Sequence, residues 1–248
     1  MPNACIYLHE IIDIVGTGSE AYKAHTGARG VDRTDGGAPL VGTWQQSGST
    51  GRWPVVVNLW EMSGWDHWAE ILERQYTPAS GQSPELARWW TAATRYRSGG
   101  EDRILVPAPW SPTRRELVDG GVRGLACLQE IAVVAPGRGE RYLEAMRRQW
   151  LPHATRRGLA LAGAWTSAMR DDEVIVLWCL PSFAAFTTHL ATMGGDVASR
   201  RWTERAHTWR RSWRETLLVS SPWCVTHPAS AAPAGRRGAP RRRPASSR

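Results

Sequence analysis

The stretch LHEIIDIVGTGSEAY at residues 8–22 comes back as LQEIAVVAPGRGERY at residues 128–142, and this echo decides the fold. Leu8 and Leu128, Glu10 and Glu130, Ile11 and Ile131, Glu20 and Glu140, and Tyr22 and Tyr142 fall in register at an offset of 120. Working outward, LVGTW (40–44) matches LAGAW (161–165), and VVVNLWEMSGWDHW (55–68) matches VIVLWCLPSFAAF (174–186). RILVPAPW, ending at Trp110, matches TLLVSSPW, ending at Trp223. Four blocks in the same order mean one module written twice, and such a repeat fixes the architecture before any single motif does.

Each copy reads strand, helix, strand, strand, helix, strand. Runs such as IYLHEII, VVVNLW and RILV are short, β-branched or apolar, and bounded by Gly, Pro or Ser, as strands are. Helical periodicity is clear in GERYLEAMRRQWLPHATRRG, and in SRRWTERAHTWRRSW, where Trp202, Trp209 and Trp213 predict one apolar helix face. Ser-Gly-Trp-Asp and Pro-Ser-Phe, after each third strand, supply cap residues for a further helix. HTGARGVDRTDGG (25–37), by contrast, holds four glycines and no apolar stripe. With each helical glycine costing roughly 1 kcal/mol, it predicts a mobile loop where the second copy has a helix.

This order predicts an α+β chain of two tandem ferredoxin-like βαββαβ modules. The first and third strands are expected to be central neighbours, drawn as a parallel pair joined by a right-handed crossover. Helices then cover one face of each sheet, and the other face must be buried against something. The tandem copy supplies that partner, so the two four-stranded antiparallel sheets pack into an α/β barrel within one chain. The expected divisions are 1–112 for the first module, 113–124 for a linker, 125–227 for the second module and 228–248 for a disordered Arg/Pro/Ala-rich tail.

Composition narrows the function classes. A chain of 248 residues with 42% hydrophobic content can bury one large core or two small ones. The net charge of +8 resides mostly in Arg236, Arg237, Arg241, Arg242, Arg243 and Arg248 of the tail, leaving a body near +2 that does not suit specific nucleic-acid binding. No run of eighteen apolar residues occurs and the first residues lack a signal-peptide pattern, so a cytoplasmic protein without membrane contact is expected. Cys5, Cys127, Cys179 and Cys224 are far apart in sequence and form no CxxC pair, which predicts free thiols and no metal site.

The blocks LQEIAVVAPGRGERY, GLALAGAW and EVIVLWCLPSFAAF resemble the NIPSNAP family of the dimeric α/β barrel superfamily, over residues 6–227. The first copy departs from that pattern in having Gly16 and Thr17 where the second has Pro136 and Gly137. The resemblance implies the barrel fold and ligand entry between helices and sheet. It implies no agreed catalytic motif, because the superfamily mixes monooxygenases, isomerases, cyclases, haem enzymes and binding proteins.

Internal duplication provides its own control. Glu10 with Glu130, Trp44 with Trp165, and Trp60 with Trp178 match, as scaffold residues should, whereas His9 stands against Gln129, Asn58 against Val176, and Asp66 and His67 against alanines. The unmatched polar residues favour the first copy. Asn58 on the third strand should share a sheet face with either His9 or Glu10 on the first, giving a base, His9 or Glu10, beside an orienting amide donor. Trp44, Trp60, Trp65, Trp68, Trp89 and Trp90, with Asp66, are the candidate ligand-binding residues, since aromatic walls suit a flat, conjugated ligand.

The expected function is an enzyme acting on a small hydrophobic or aromatic metabolite, of the specialised-metabolism type. It would need no metal or bound cofactor and would work by acid/base isomerisation or cyclisation, or by cofactor-independent oxygenation. The alternatives are a non-catalytic NIPSNAP-like protein that binds a small molecule or partner, and a haem enzyme using His153, His189 or His207. Either a monomeric pseudo-dimer or a homodimer is compatible with the repeat.

Overall fold

A computed structural model describes residues 3–30, 36–76 and 83–230. The first module runs β1 (Ile6–Ile14), α1 (Ser19–Gly30), β2 (Leu40–Gln46), β3 (Val55–Met62), α2 (Trp65–Tyr76), α3 (Pro84–Ala93) and β4 (Arg97–Pro107). After α4 (Arg114–Asp119), the second runs β5 (Ala126–Val134), α5 (Gly139–Gln149), α6 (Leu151–Arg156), β6 (Ala160–Ser167), β7 (Arg170–Leu180), α7 (Phe183–Met193), α8 (Val197–His207) and β8 (Arg210–Ser220). Among the described residues no helix is long and apolar enough to cross a membrane.

The eight strands close into one barrel in the order β1-β3-β2-β8-β5-β7-β6-β4. Each module contributes a ferredoxin-like sheet, and the seams are β2 against β8 (Trp44 opposite Ser220) and β4 against β6 (Leu105 opposite Ser167). β1 and β3 are indeed central neighbours, but they run antiparallel, with Glu10 opposite Asn58, which corrects the parallel pair expected. The crossover through α1 joins β1 to β2, and β3 fills the gap between them, so every ladder is antiparallel.

Strand alternation sorts the residues into two layers. Tyr7, Ile11, Val57, Leu59, Trp44, Trp165, Ile175 and Leu177 fill the barrel interior, and each large side chain so buried contributes roughly 1.5–3 kcal/mol. The repeated Gly-x-Trp is explained here. Gly42 and Gly163 stand two residues before Trp44 and Trp165 on the same face, and a Cβ at either glycine would overlap the indole lying across it. The outer faces pack against the helices, through Tyr142, Met146, Trp150, Trp178 and Trp202 in the second module and through Ile12, Tyr22, Leu40, Trp60 and Ile104 in the first.

Two local expectations are corrected. The glycine-rich segment is helical as far as Gly30, because Gly27 lies under the Trp223 ring with no room for a Cβ, and a Cβ on Gly30 would stand 2.7 Å from Leu40 Cβ. Close packing outweighs the poor helix propensity. Residues 31–35 of that segment lie outside the described residues. Trp202, Trp209 and Trp213 do not share a helix either. α8 ends at His207, and pairing with β5 draws Trp213 into β8, opposite Ala132.

The segment 113–124 is more than a connection. α4 begins with a capping box in which Thr113 and Glu116 satisfy one another's backbone groups, and Leu117 is buried in the barrel core. The four cysteines are free, with Cys127 and Cys179 directly opposite across β5 and β7. Of the tail expected to be disordered, residues 231–248 lie outside the described residues.

Candidate active site

Glu10 faces the helix side of β1. Its Oε2 accepts hydrogen bonds from Trp60 Nε1 at 2.6 Å and Asn58 Nδ2 at 3.0 Å, and the same Asn58 nitrogen lies 3.2 Å from the Tyr22 hydroxyl. Burial pushes the Glu10 carboxyl above its ordinary range, and the nearby Asp102 charge pushes the same way. The two donated hydrogen bonds oppose them. Burial, reinforced by Glu10, moves the Tyr22 phenol up to about 12.

Above Glu10 opens a cavity of about 810 Å³ between the sheet and helices α1, α2 and α3. Glu10, Trp60, Trp68, Trp89, Trp90 and Asp102 are among the residues that line it. Trp89 and Trp90 meet edge to face at 4.9 Å, and His25 stacks on Trp89 at 5.0 Å. Arg29 lies over Trp89 at 5.7 Å and Arg97 over Trp90 at 5.5 Å, which stiffens the aromatic wall. The pocket combines apolar and aromatic walls with one carboxyl group on its floor and a second, on Asp102, beside it.

The residues singled out from the sequence divide. Glu10, Trp60, Trp68, Trp89 and Trp90 come together at the cavity, with Asn58 directly beneath it as a donor to Glu10. His9, one residue along, points into the barrel, where its Nε2 pairs with Gln129 Oε1 at 2.9 Å, and burial lowers its pKa to about 4. Strand parity thus separates His9 from Asn58. Trp44 also lies in the barrel interior. Trp65 and Asp66 are exposed on the first turn of α2, Trp65 packing at 5.8 Å on Trp68. His67 bridges Ser63 and the Gly36 carbonyl. None of these last residues lines the cavity.

His153, His189 and His207 are spread over α6, α7 and α8. His153 Nε2 pairs with Asp196 at 2.6 Å, and His189 is lowered to about 4 by burial. Among the described residues no group of three or more His, Cys, Asp or Glu could hold a metal ion. A second cavity of about 730 Å³, between α5 and the end of β4, holds none of the candidate residues.

Asp102 and Arg97 were not singled out from the sequence, although a signal for them exists. Pairing β4 with β1 in register puts Asp102 opposite Glu10 and Arg97 opposite Ile14, just as Glu215 stands opposite Glu130 and Arg210 opposite Val134.

Comparison with solved structures supports the architecture. A candidate monooxygenase from Lactobacillus acidophilus NCFM matches with a TM-score of 0.60 at 10% identity, over 87% of this chain and 93% of its own. An anthrone oxidase-like protein matches with a TM-score of 0.61 at 10% identity, over 89% and 94%. A NIPSNAP-like domain protein from Burkholderia xenovorans matches at 20% identity and a TM-score of 0.36, over 45% of this chain and 91% of its own. No protein-family model and no curated protein matches the sequence. At these identities the likeness is one of fold: two ferredoxin-like halves of a single polypeptide close one α/β barrel.

Proposed function

We propose that the chain is an enzyme that moves a proton on a small, flat, aromatic or hydrophobic ligand held in the tryptophan-walled cavity, with Glu10 as the proton-transfer residue. The observation that carries this reading is the contrast between Glu10 and its repeat mate. Glu130 is neutralised by Arg210 at 3.2 Å, whereas Glu10 has two neutral donors and opens onto a cavity. A carboxylate held in apolar surroundings is a stronger base than one in water, and once protonated it is a usable acid near neutral pH. Asn58 acts by orienting Glu10, since its amide nitrogen points at the carboxylate.

Isomerisation and cyclisation need only that group: a C–H or O–H proton passes to Glu10 and returns elsewhere on the ligand. Oxygenation begins with the same step. The ligand carbanion then supplies electrons to dioxygen, and a CH₂ carbon becomes a carbonyl as the second oxygen atom leaves in water. The names carried by two similar structures, a candidate monooxygenase and an anthrone oxidase-like protein, favour this branch and suggest an anthrone as the first ligand to try.

The test is oxygen uptake and quinone absorbance with an anthrone, alongside ligand binding read from tryptophan fluorescence. Glu10→Gln should lower turnover by about 100-fold or more while binding persists, in line with general acid/base contributions. His9→Ala should leave turnover close to that of the parent. Equal turnover in Glu10→Gln would sink the assignment. Tight binding without turnover in any variant, the parent included, would favour a binding protein.

A further inference from the structure

Glu10 is one of two carboxyl groups on the same cavity wall. Asp102 stands directly opposite it across the β1–β4 ladder and also lines the cavity, but on the solvent-exposed part of β4. Directly opposed residues of antiparallel strands have their Cβ atoms about 4.5–5.5 Å apart and side chains on one face, so like charges there repel strongly. Two carboxyls so placed do not both ionise readily, and the one with better access to water and cations ionises first.

The surroundings decide which that is. Glu10 is buried, with Asn58 and Trp60 from β3 and the Tyr22 hydroxyl of α1 around it. Asp102 is exposed and has Arg103 beside it on β4; partial burial raises its carboxyl, while the charges of Arg97 and Arg103 pull the other way, towards the ionised form. The remaining charged groups of the cavity are engaged elsewhere. Arg29 of α1 pairs with Glu85 of α3 at 3.2 Å, and Arg74 of α2 donates to the Gly36 carbonyl at 2.6 Å. Arg103 and Arg170 are held by Glu101 and Glu173.

We propose that Asp102 is a positioning residue of the site: its negative charge raises the proton affinity of Glu10 and so strengthens Glu10 as the base that takes the ligand's proton. This rests on Glu10 being the proton-transfer residue. The pair then acts as one acid/base unit, with the ligand's proton held in transit on the buried member and the open member fixing how tightly it is held.

The structure provides a probe that needs no ligand. The Trp60 indole N–H donates to Glu10 at 2.6 Å, so its ¹H–¹⁵N resonance in indole-labelled full-length protein follows the ionisation of Glu10. Trp60→Phe assigns the resonance, and Glu10→Gln should abolish its titration. Asp102→Asn should lower the midpoint by about one pH unit, a tenfold loss of proton affinity, whereas Asp102→Glu should keep it near that of the parent. Because Asp102 is exposed, both variants are expected to fold. An unchanged midpoint in Asp102→Asn, with the titration still dependent on Glu10, would overturn the role of Asp102 alone. A Trp60 resonance that does not titrate, or that titrates in Glu10→Gln, would remove the reading of Glu10 as well.

Discussion

The two modules place the same glutamate at the same point of the same strand and surround it differently. In the second, the Glu130 carboxylate receives Trp178 at 2.7 Å, Trp213 at 3.1 Å and Arg210 at 3.2 Å, and Arg210 also bonds Tyr142 and lies over the rings of Trp213, Trp202 and Tyr142. In the first, the position of Trp213 is taken by Gly100, and Arg97 lies over Trp90 instead of reaching Glu10. One network is saturated and closed; the other lacks its arginine and one indole, and a cavity stands in their place. A buried charge with a full set of partners is scaffold, and the same charge with part of that set missing is available for chemistry.

The sharpest way to break the comparison is to remove the arginine from each side. Arg210→Ala leaves Glu130 and Glu215 without their cation and should cost about 3–5 kcal/mol, whereas Arg97→Ala, which loses one stacking contact, should cost under about 1 kcal/mol. Urea unfolding of both variants measures the difference, and equal losses would mean that the two networks are equivalent after all. A smaller effect should come from pH. Burial, with the Glu130 charge behind it, raises Glu215 from an ordinary 4.5 to about 8. The folded state therefore holds this proton more tightly than the unfolded one, and the stability so gained is present below pH 4.5 and lost as pH climbs towards 8. Glu215→Gln should remove that loss, so that its urea midpoint falls less between pH 5 and pH 9 than the parent's does. Smallest is a packing difference between repeat mates. Gly27→Ala forces a Cβ into the Trp223 ring and should cost about 1–3 kcal/mol, whereas Arg147→Ala, at the matching place on α5, should change thermal stability by no more than about 0.5 kcal/mol.

Much of this architecture could be read directly from the chain, because a repeat at an offset of 120 carries fold information that composition does not. Strand direction was harder to read: adjacency of β1 and β3 follows from the split unit, but their antiparallel sense follows only once β3 is seen to lie between the two parallel strands β1 and β2. The helix through Gly27 and Gly30 was hidden because its stability comes from Trp223, nearly two hundred positions away. At the candidate site, the asymmetry of the copies pointed to His9 and Asn58, while Glu10 was matched by Glu130 and so carried no such mark; strand parity left open whether His9 or Glu10 would join Asn58, and the register of β1 on β3 decides for Glu10. Asp102 escaped notice because a pairwise comparison finds a carboxylate at both of its positions, Asp102 and Glu215, so that nothing marked it as different.

The seams of the barrel join the two ends of the chain. β2 pairs with β8, Val225 N donates to the Val41 carbonyl at 2.9 Å, and Ser221 Oγ donates to the Thr43 carbonyl at 2.6 Å. Tyr7, Ile11, Trp44 and Val57 therefore have no cover until β5 to β8 exist. At ordinary rates of synthesis the second half takes on the order of ten seconds to emerge, and throughout that interval the first sheet carries an open apolar face and an unpaired edge. Fusing the modules thus binds folding to translation: the nascent first half must avoid pairing with another copy of itself until its own C-terminal half arrives to close the ring.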